Sequence, residues 1–231
     1  VSGLFSIGIV AHHSRWLRAG KLAEHLDADV VAVDYDGRVG AGRNHERCYE
    51  WLAETGSPWS VLLEDDAVPV RRFRDQLTQV LTAAPAEAGL LSLYLGRWRP
   101  PHWQPSIAQV ISRDEHFLSA SELLHHVAVA IRTPLIPVML AHIRADRRYQ
   151  VGRLPIDEAI GDFARTAGMP VLYSHPSIVN HNTKMPTVIG RHVSQHPTET
   201  GQRPASELRQ AWAFGTRPSW QDSRAAIPEP A

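Results

Sequence analysis

The chain has 231 residues, and its 24 Lys plus Arg balance 24 Asp plus Glu, which fits one sizeable domain. A formal net charge of zero argues against nucleic-acid binding by bulk charge and against a polybasic membrane anchor. With Cys48 as the sole cysteine, no intrachain disulfide can form, and no apolar run suits a transmembrane segment or signal peptide, so a cytoplasmic enzyme or binding domain is expected.

Residues 4–11 are apolar and β-branched and read as a first strand. The strand ends in His12-His13-Ser14-Arg15, ahead of a helical pattern in Trp16, Leu17, Leu22, Ala23 and Leu26. Paired histidines at a strand end suit a ligand contact, a metal ligand or a plain loop. Residues 29–34 form a second strand that closes on Asp34, Tyr35 and Asp36. A glycine-containing loop over 37–42 then leads into a helix starting at Arg43-Asn44, with Cys48, Trp51 and Leu52 on its apolar side. Strand, helix, strand, glycine loop, helix, strand predicts an α/β fold with a mainly parallel sheet. The glycines match neither the dinucleotide fingerprint nor the P-loop, but they leave backbone N–H groups free to face a phosphate.

The third strand, 59–63, delivers Glu64, Asp65 and Asp66. Three adjacent carboxylates repel one another and lose hydration unless a cation or hydrogen-bond donors compensate. Ligands in open α/β sheets gather at the carboxyl ends of strands. The cluster therefore reads either as a divalent-metal site for a phosphorylated ligand or as a solvated turn.

A helix follows over 73–83 and a strand over 90–95. Residues 96–105 then break all periodicity with Pro100, Pro101 and Pro105, and carry Trp98 and Trp103. Indole faces in such a segment suit a ligand-facing loop or a loop pinned to the core. A strand over 126–131, a helix starting at Thr133-Pro134, a helix N-terminus at 154–163 with Asp157 and Glu158 in its first turn, and a strand over 169–173 complete the pattern. Residues 1–183 form the expected domain. Residues 184–231 read as a polar, proline-rich extension that packs on it, through Trp212, Phe214 and Trp220, or trails from it.

Six segments in order carry a resemblance to a family: Gly42-Arg43-Asn44-His45, Val61-Leu62-Leu63-Glu64-Asp65-Asp66, Ser92-Leu93-Tyr94-Leu95-Gly96, His126-Val127-Ala128-Val129-Ala130-Ile131, Pro155-Ile156-Asp157 and Pro176-Ser177-Ile178-Val179. Over residues 4–182 the chain resembles GT-A type glycosyltransferases, most nearly the lipooligosaccharide and procollagen galactosyltransferase group. The resemblance implies a single Rossmann-like GT-A domain. It also implies Mn²⁺ or Mg²⁺ as cofactor, a nucleoside-diphosphate sugar as donor (a UDP-sugar favoured), and a glycan, protein or small molecule as acceptor. On the same ground Asp66 and His181 are metal ligands, with Glu64 and Asp65 in support at the ribose or a metal-bound water. Asp157 is the catalytic base, with Glu158 second. Asp34, Asp36, Arg43, Asn44, His12 and Arg15 line the donor pocket. The glycine loop, residues 96–120 and the extension depart from the family pattern. Two other readings remain: a metal-dependent phosphohydrolase or nucleotidyltransferase, and a catalytically silent nucleotide-sugar-binding domain.

Overall fold

A computed structural model describes residues 3–97, 100–182 and 209–230. Trp98 and the first part of the C-terminal extension lie outside the described residues. The chain forms strands β1 (Phe5–His12) and β2 (Val30–Asp34) around helix α1 (Trp16–Leu26), then α2 (Ala41–Ala53), β3 (Trp59–Glu64), β4 (Ala67–Pro69), α3 (Phe73–Ala83) and β5 (Leu90–Ser92). It continues through α4 (Gln104–Val110), β6 (Phe117–Ala120), β7 (Ala128–Arg132), α5 (Ile136–Ala145), α6 (Arg147–Gln150), α7 (Ile156–Thr166), β8 (Val171–Ser174), β9 (Val179–His181) and β10 (Arg224–Ala226).

Eight strands make one sheet in the order β10-β6-β8-β5-β7-β3-β1-β2, and β4 pairs with β9 in a separate ribbon. The sheet is mixed. Strands β2, β1, β3, β5 and β8 run one way, while β7, β6 and β10 run the other. This is the expected α/β class, a mainly parallel sheet flanked by helices.

The central strands are apolar on both faces because helices cover both. Ile7, Ile9, Val61 and Leu63 pack with α1 and α3 through Leu26, Phe73 and Leu77. Val10, Leu62 and Val129 pack on the other face with α2, α5 and α7 through Cys48, Leu52, Met139, Ile143 and Ile160. Gly8 lets α2 approach β1: a Cβ there would lie 2.6 Å from Cys48 Sγ and 3.0 Å from Leu52 Cδ1.

Because β2 and β3 flank β1 on opposite sides, with α1 and α2 on opposite faces, the chain reverses its winding at β1. Such a switch point opens a crevice at the carboxyl ends of the strands. His12, Asp34 and the acidic turn after β3 all reach that end, and the β4–β9 ribbon extends it.

Two expectations are corrected here, at Trp103 and at the end of the extension. The aperiodic segment gives way at its end to α4, and β6 follows. Trp103 is 1% exposed and packs in the core with Ile107 and Val110; its indole donates to Glu122 Oε2 at 3.2 Å, so it does not face an acceptor. The end of the extension is not merely apposed: β10 adds a strand beside β6, and Trp220 is buried against Phe117. Phe214 stays 44% exposed.

Candidate active site

The acidic turn after β3 is fixed by the β1–α1 junction. Asp65 is buried, accepts the His12 backbone N–H at 3.0 Å, and accepts from Arg15 Nη1 at 2.7 Å. The same Arg15 nitrogen donates to Asp66 Oδ2 at 3.0 Å, and Arg18 Nε donates to the Asp65 carbonyl at 2.7 Å. Two arginines thus compensate the repulsion within the cluster. Asp65, expected to reach the donor, has both carboxylate oxygens occupied and holds the turn in place.

The β4–β9 ribbon sets Ala67 opposite His181. That register brings His181 Nε2 to 3.4 Å from Asp66 Oδ2. Burial alone would raise the Asp66 pKa, but His181 and Arg15 outweigh it and hold the carboxyl below its usual range. Asp66 Oδ1 and His181 Nδ1 are both buried and have no hydrogen-bond partner among the described residues. A carboxylate and an imidazole that meet at a strand end, each with a buried polar atom left without a partner, fit a divalent cation that takes oxygen and nitrogen donors.

The first turn of α7 presents Asp157, half-buried, with Glu158 exposed beside it. Asp157 Oδ1 accepts the Glu158 N–H at 3.1 Å. Burial, with a contribution from Glu158, pushes the Asp157 carboxyl up to about 6, and His45 counteracts this only in part. Glu64 is also raised, first by burial and then by Asp66 and Asp157, against the opposing pull of His45. Glu64 Oε1 lies 3.3 Å from His45 Nε2. Acids from β3, β4's leading turn and α7 therefore share one electrostatic environment.

The second strand end is organised by Asp34. Its oxygens accept the Val39 N–H at 3.2 Å and the Gly40 N–H at 2.9 Å. Burial would raise this carboxyl, yet the N–H groups of Gly40, Val39 and Gly37 hold it below its usual range. The loop turns through positive φ at Gly37 (68°) and Gly40 (80°), backbone that glycine adopts at no steric cost. Gly40 begins α2, whose N-terminus has no side-chain cap.

Asn44 is corrected outright. It is 2% exposed; its amide donates to the carbonyls of Ala11 and Ala32, and its oxygen accepts from Arg47. With its bonding capacity spent on the ends of β1 and β2, it braces the strands. Arg43 is exposed and pairs with Glu46 at 2.5 Å. Asp36 is exposed on the loop beyond Asp34 and accepts the Arg38 N–H at 3.2 Å. His12 Nδ1 meets Ser14 Oγ at 2.8 Å, and its ring lies 4.0 Å from that of His13.

Sequence reasoning did not single out His45, Tyr49 or His126 as site residues. All three are buried and in mutual contact: the histidine rings meet edge-on at 4.6 Å, and His126 Nε2 lies 2.8 Å from Tyr49 Oη. The one legible signal is the four-residue spacing of His45 and Tyr49, which places them on one face of α2.

The chain matches no protein-family model and no curated protein. Among solved structures, a glycosyltransferase involved in glycosylation of the major capsid of PBCV-1 aligns at 8% identity, with a TM-score of 0.42, covering 74% of this chain and 83% of that one. A mutant Drosophila β1,4-galactosyltransferase 7 in complex with manganese, UDP-Gal and xylobiose aligns at 10% identity, with a TM-score of 0.41, covering 76% and 70%. A putative glucose-1-phosphate thymidylyltransferase from Bacillus anthracis, in complex with a sucrose, aligns at 10% identity, with a TM-score of 0.43, covering 74% and 86%. Among the described residues no helix is long and apolar enough to cross a membrane.

Proposed function

We propose that this chain is a metal-dependent glycosyltransferase that moves a sugar from a nucleoside-diphosphate sugar, a UDP-sugar favoured, to an acceptor hydroxyl with inversion. One observation carries the reading: Asp66 and His181, far apart in sequence, meet at 3.4 Å, each with a buried polar atom left without a partner among the described residues, while Asp157, a carboxyl held at about 6, acts on the neighbouring Glu64.

Asp66 and His181, which meet through His181 Nε2, would hold Mn²⁺ or Mg²⁺, and the imidazole favours Mn²⁺. When bound, the ion supplies neutralisation of the charge that grows on the departing diphosphate, so the leaving group needs no proton. Every other contribution belongs to the chain. Arg15 and Asp65 fix the turn so that Asp66 presents its free oxygen without rearranging. Asp34 folds the glycine loop so that the uncapped first turn of α2 offers backbone N–H groups to phosphate oxygens. The exposed Asp36 and Arg43, with His12, stand at the same end for the nucleoside. Asp157 takes the acceptor's hydroxyl proton onto a carboxylate oxygen, and a pKa near neutrality suits a base working there.

A thermal-shift panel of nucleotide sugars with and without Mn²⁺ tests this reading. A ligand present at a hundred times its Kd stabilises by about 2.7 kcal/mol. A UDP-sugar should raise the melting temperature only when metal is present, and Asp66→Ala should abolish that gain, weakening metal-dependent donor binding far more than it lowers the metal-free melting temperature. Incubation with donor and acceptor should yield a glycoside of inverted anomeric configuration by NMR. Stabilisation that ignores both metal and Asp66, or release of pyrophosphate instead of nucleoside diphosphate, would refute it.

A further inference from the structure

We propose that His45, Glu64 and His126 form a second metal site, built for a Zn²⁺-like transition ion and separate from the Asp66–His181 pair. Both histidines are at least nine-tenths buried, at 5% and 4% exposure. Each has one ring nitrogen tied down. His45 Nδ1 lies 2.7 Å from the Ala41 carbonyl oxygen, which can only accept, so that nitrogen carries the proton. His126 Nε2 lies 2.8 Å from Tyr49 Oη.

The opposite nitrogens, His45 Nε2 and His126 Nδ1, are buried without a hydrogen-bond partner among the described residues. One ligand atom from each of the three side chains lies within 4.8 Å of the others. An orphaned buried nitrogen costs the desolvation of a polar group. Two of them on touching rings, beside a carboxylate, are hard to explain as packing. An ion pair between a protonated His45 and Glu64, at 3.3 Å, satisfies His45 but still leaves His126 Nδ1 orphaned. A cation satisfies both.

The ligand set also selects the cation. Two imidazoles and one carboxylate suit Zn²⁺ and its neighbours, whereas Mg²⁺ and Ca²⁺ take oxygen shells. The outer partners fit as well, because metal-bound imidazoles usually donate their other N–H to a carbonyl or another acceptor. Here those acceptors are the Ala41 carbonyl and, with the proton on Nε2 of His126, Tyr49 Oη. Around Zn²⁺, with bonds of about 2.0–2.1 Å, ligand atoms sit roughly 3.3 Å apart. The site must therefore close, and Glu64, at 29% side-chain exposure, has room to move. The inference stands whether or not the chain transfers sugars, since it rests on atoms that the proposed chemistry leaves unused.

The test uses the whole chain stripped with chelator, then titrated with Co²⁺ under visible spectroscopy and with Zn²⁺ by calorimetry. The wild type should show a four-coordinate Co²⁺ spectrum that Zn²⁺ bleaches. His126→Gln should weaken Zn²⁺ binding at least ~10-fold, the low end for loss of a metal-site partner, while Asp66→Asn should keep both signals. No such spectrum in the wild type overturns the proposal. So does a spectrum that survives His126→Gln and vanishes in Asp66→Asn, which would put the ion on Asp66 and His181. Should His126→Gln fail to fold, X-ray absorption of the Zn²⁺-loaded wild type decides: two imidazoles in the shell support the site, and one or none overturns it.

Discussion

At Asp157, the proposed role as base and the stability of the fold pull in opposite directions. Its carboxyl rises from an ordinary 3.8 to about 6, so the folded state binds this proton more tightly than the unfolded chain does. The native state therefore has its full stability below the ordinary carboxyl range and loses some as pH rises through 6. The shift corresponds to at most roughly 3 kcal/mol. Asp157→Asn mimics the protonated acid. It should melt at the same temperature as the wild type near pH 4 and several degrees above it at pH 8, as differential scanning calorimetry would show. Donor turnover should fall by at least ~10²-fold if the carboxylate is the base, and the wild-type rate should climb across pH 6. A slower enzyme that is also less stable would mark Asp157 as structural. Arg15 makes the converse case. Its side chain is 7% exposed and is shared by Asp65 and Asp66, so Arg15→Met removes a partner from both carboxylates and leaves Asp65 with the His12 N–H and Asp66 with His181. The expected loss is ~3–5 kcal/mol by urea unfolding at pH 7, and it should shrink in acid as those carboxylates protonate.

Among the elements, those readable from the chain are the ones whose burial follows a local period. Helix α3 places Phe73, Leu77, Val80 and Leu81 inward at helical spacing, and β3 is apolar apart from Ser60 until Glu64, so both could be drawn from sequence. Strand β6 could not: Phe117 to Ala120 becomes a strand only because β8 and β10 flank it. The β4–β9 ribbon is a pairing of three-residue strands, and without it nothing local says that His181 meets Asp66. Only the family resemblance supplied that pair. Asn44 misled for a physical reason. A polar side chain ahead of an amphipathic helix looks like a ligand contact, yet carbonyls at the ends of parallel strands also need donors. His45 and His126 stood inside quoted segments, but contact between α2 and the start of β7 is a tertiary fact. Gly8 shows how tight the layers are. With a Cβ only 2.6 Å from Cys48 Sγ, Gly8→Ala should cost ~1–3 kcal/mol through overpacking. Gly8→Ala combined with Cys48→Ala should recover part of that loss in the same unfolding assay.

For the molecule as a whole, residues 209–230 act as a strap that runs from the segment after β5 to the sheet edge at β6. Near the site, the Trp212 N–H donates to the Leu95 carbonyl and the Arg97 N–H to that of Gln210. Asn180 Oδ1 accepts both the His181 and Ala211 N–H groups, so the strap helps hold the strand that carries His181. Further along, Arg217 donates to the carbonyls of His175 and Glu115, and Trp220 Nε1 to Gln76 Oε1. At its end, β10 covers the backbone edge of β6. Two variants separate these roles. Trp220→Ala should cost ~3–5 kcal/mol as a buried aromatic truncation while keeping the Mn²⁺-dependent thermal shift with a UDP-sugar. Deleting 209–231 uncovers β6 and leaves buried Gln76 without Arg217 and Trp220, so light scattering should detect self-association through the open edge. It also frees Asn180 and the β9 end, so the Mn²⁺-dependent shift should disappear with it. A truncated chain that stays monomeric and keeps that shift would place the strap outside both sheet closure and the metal site.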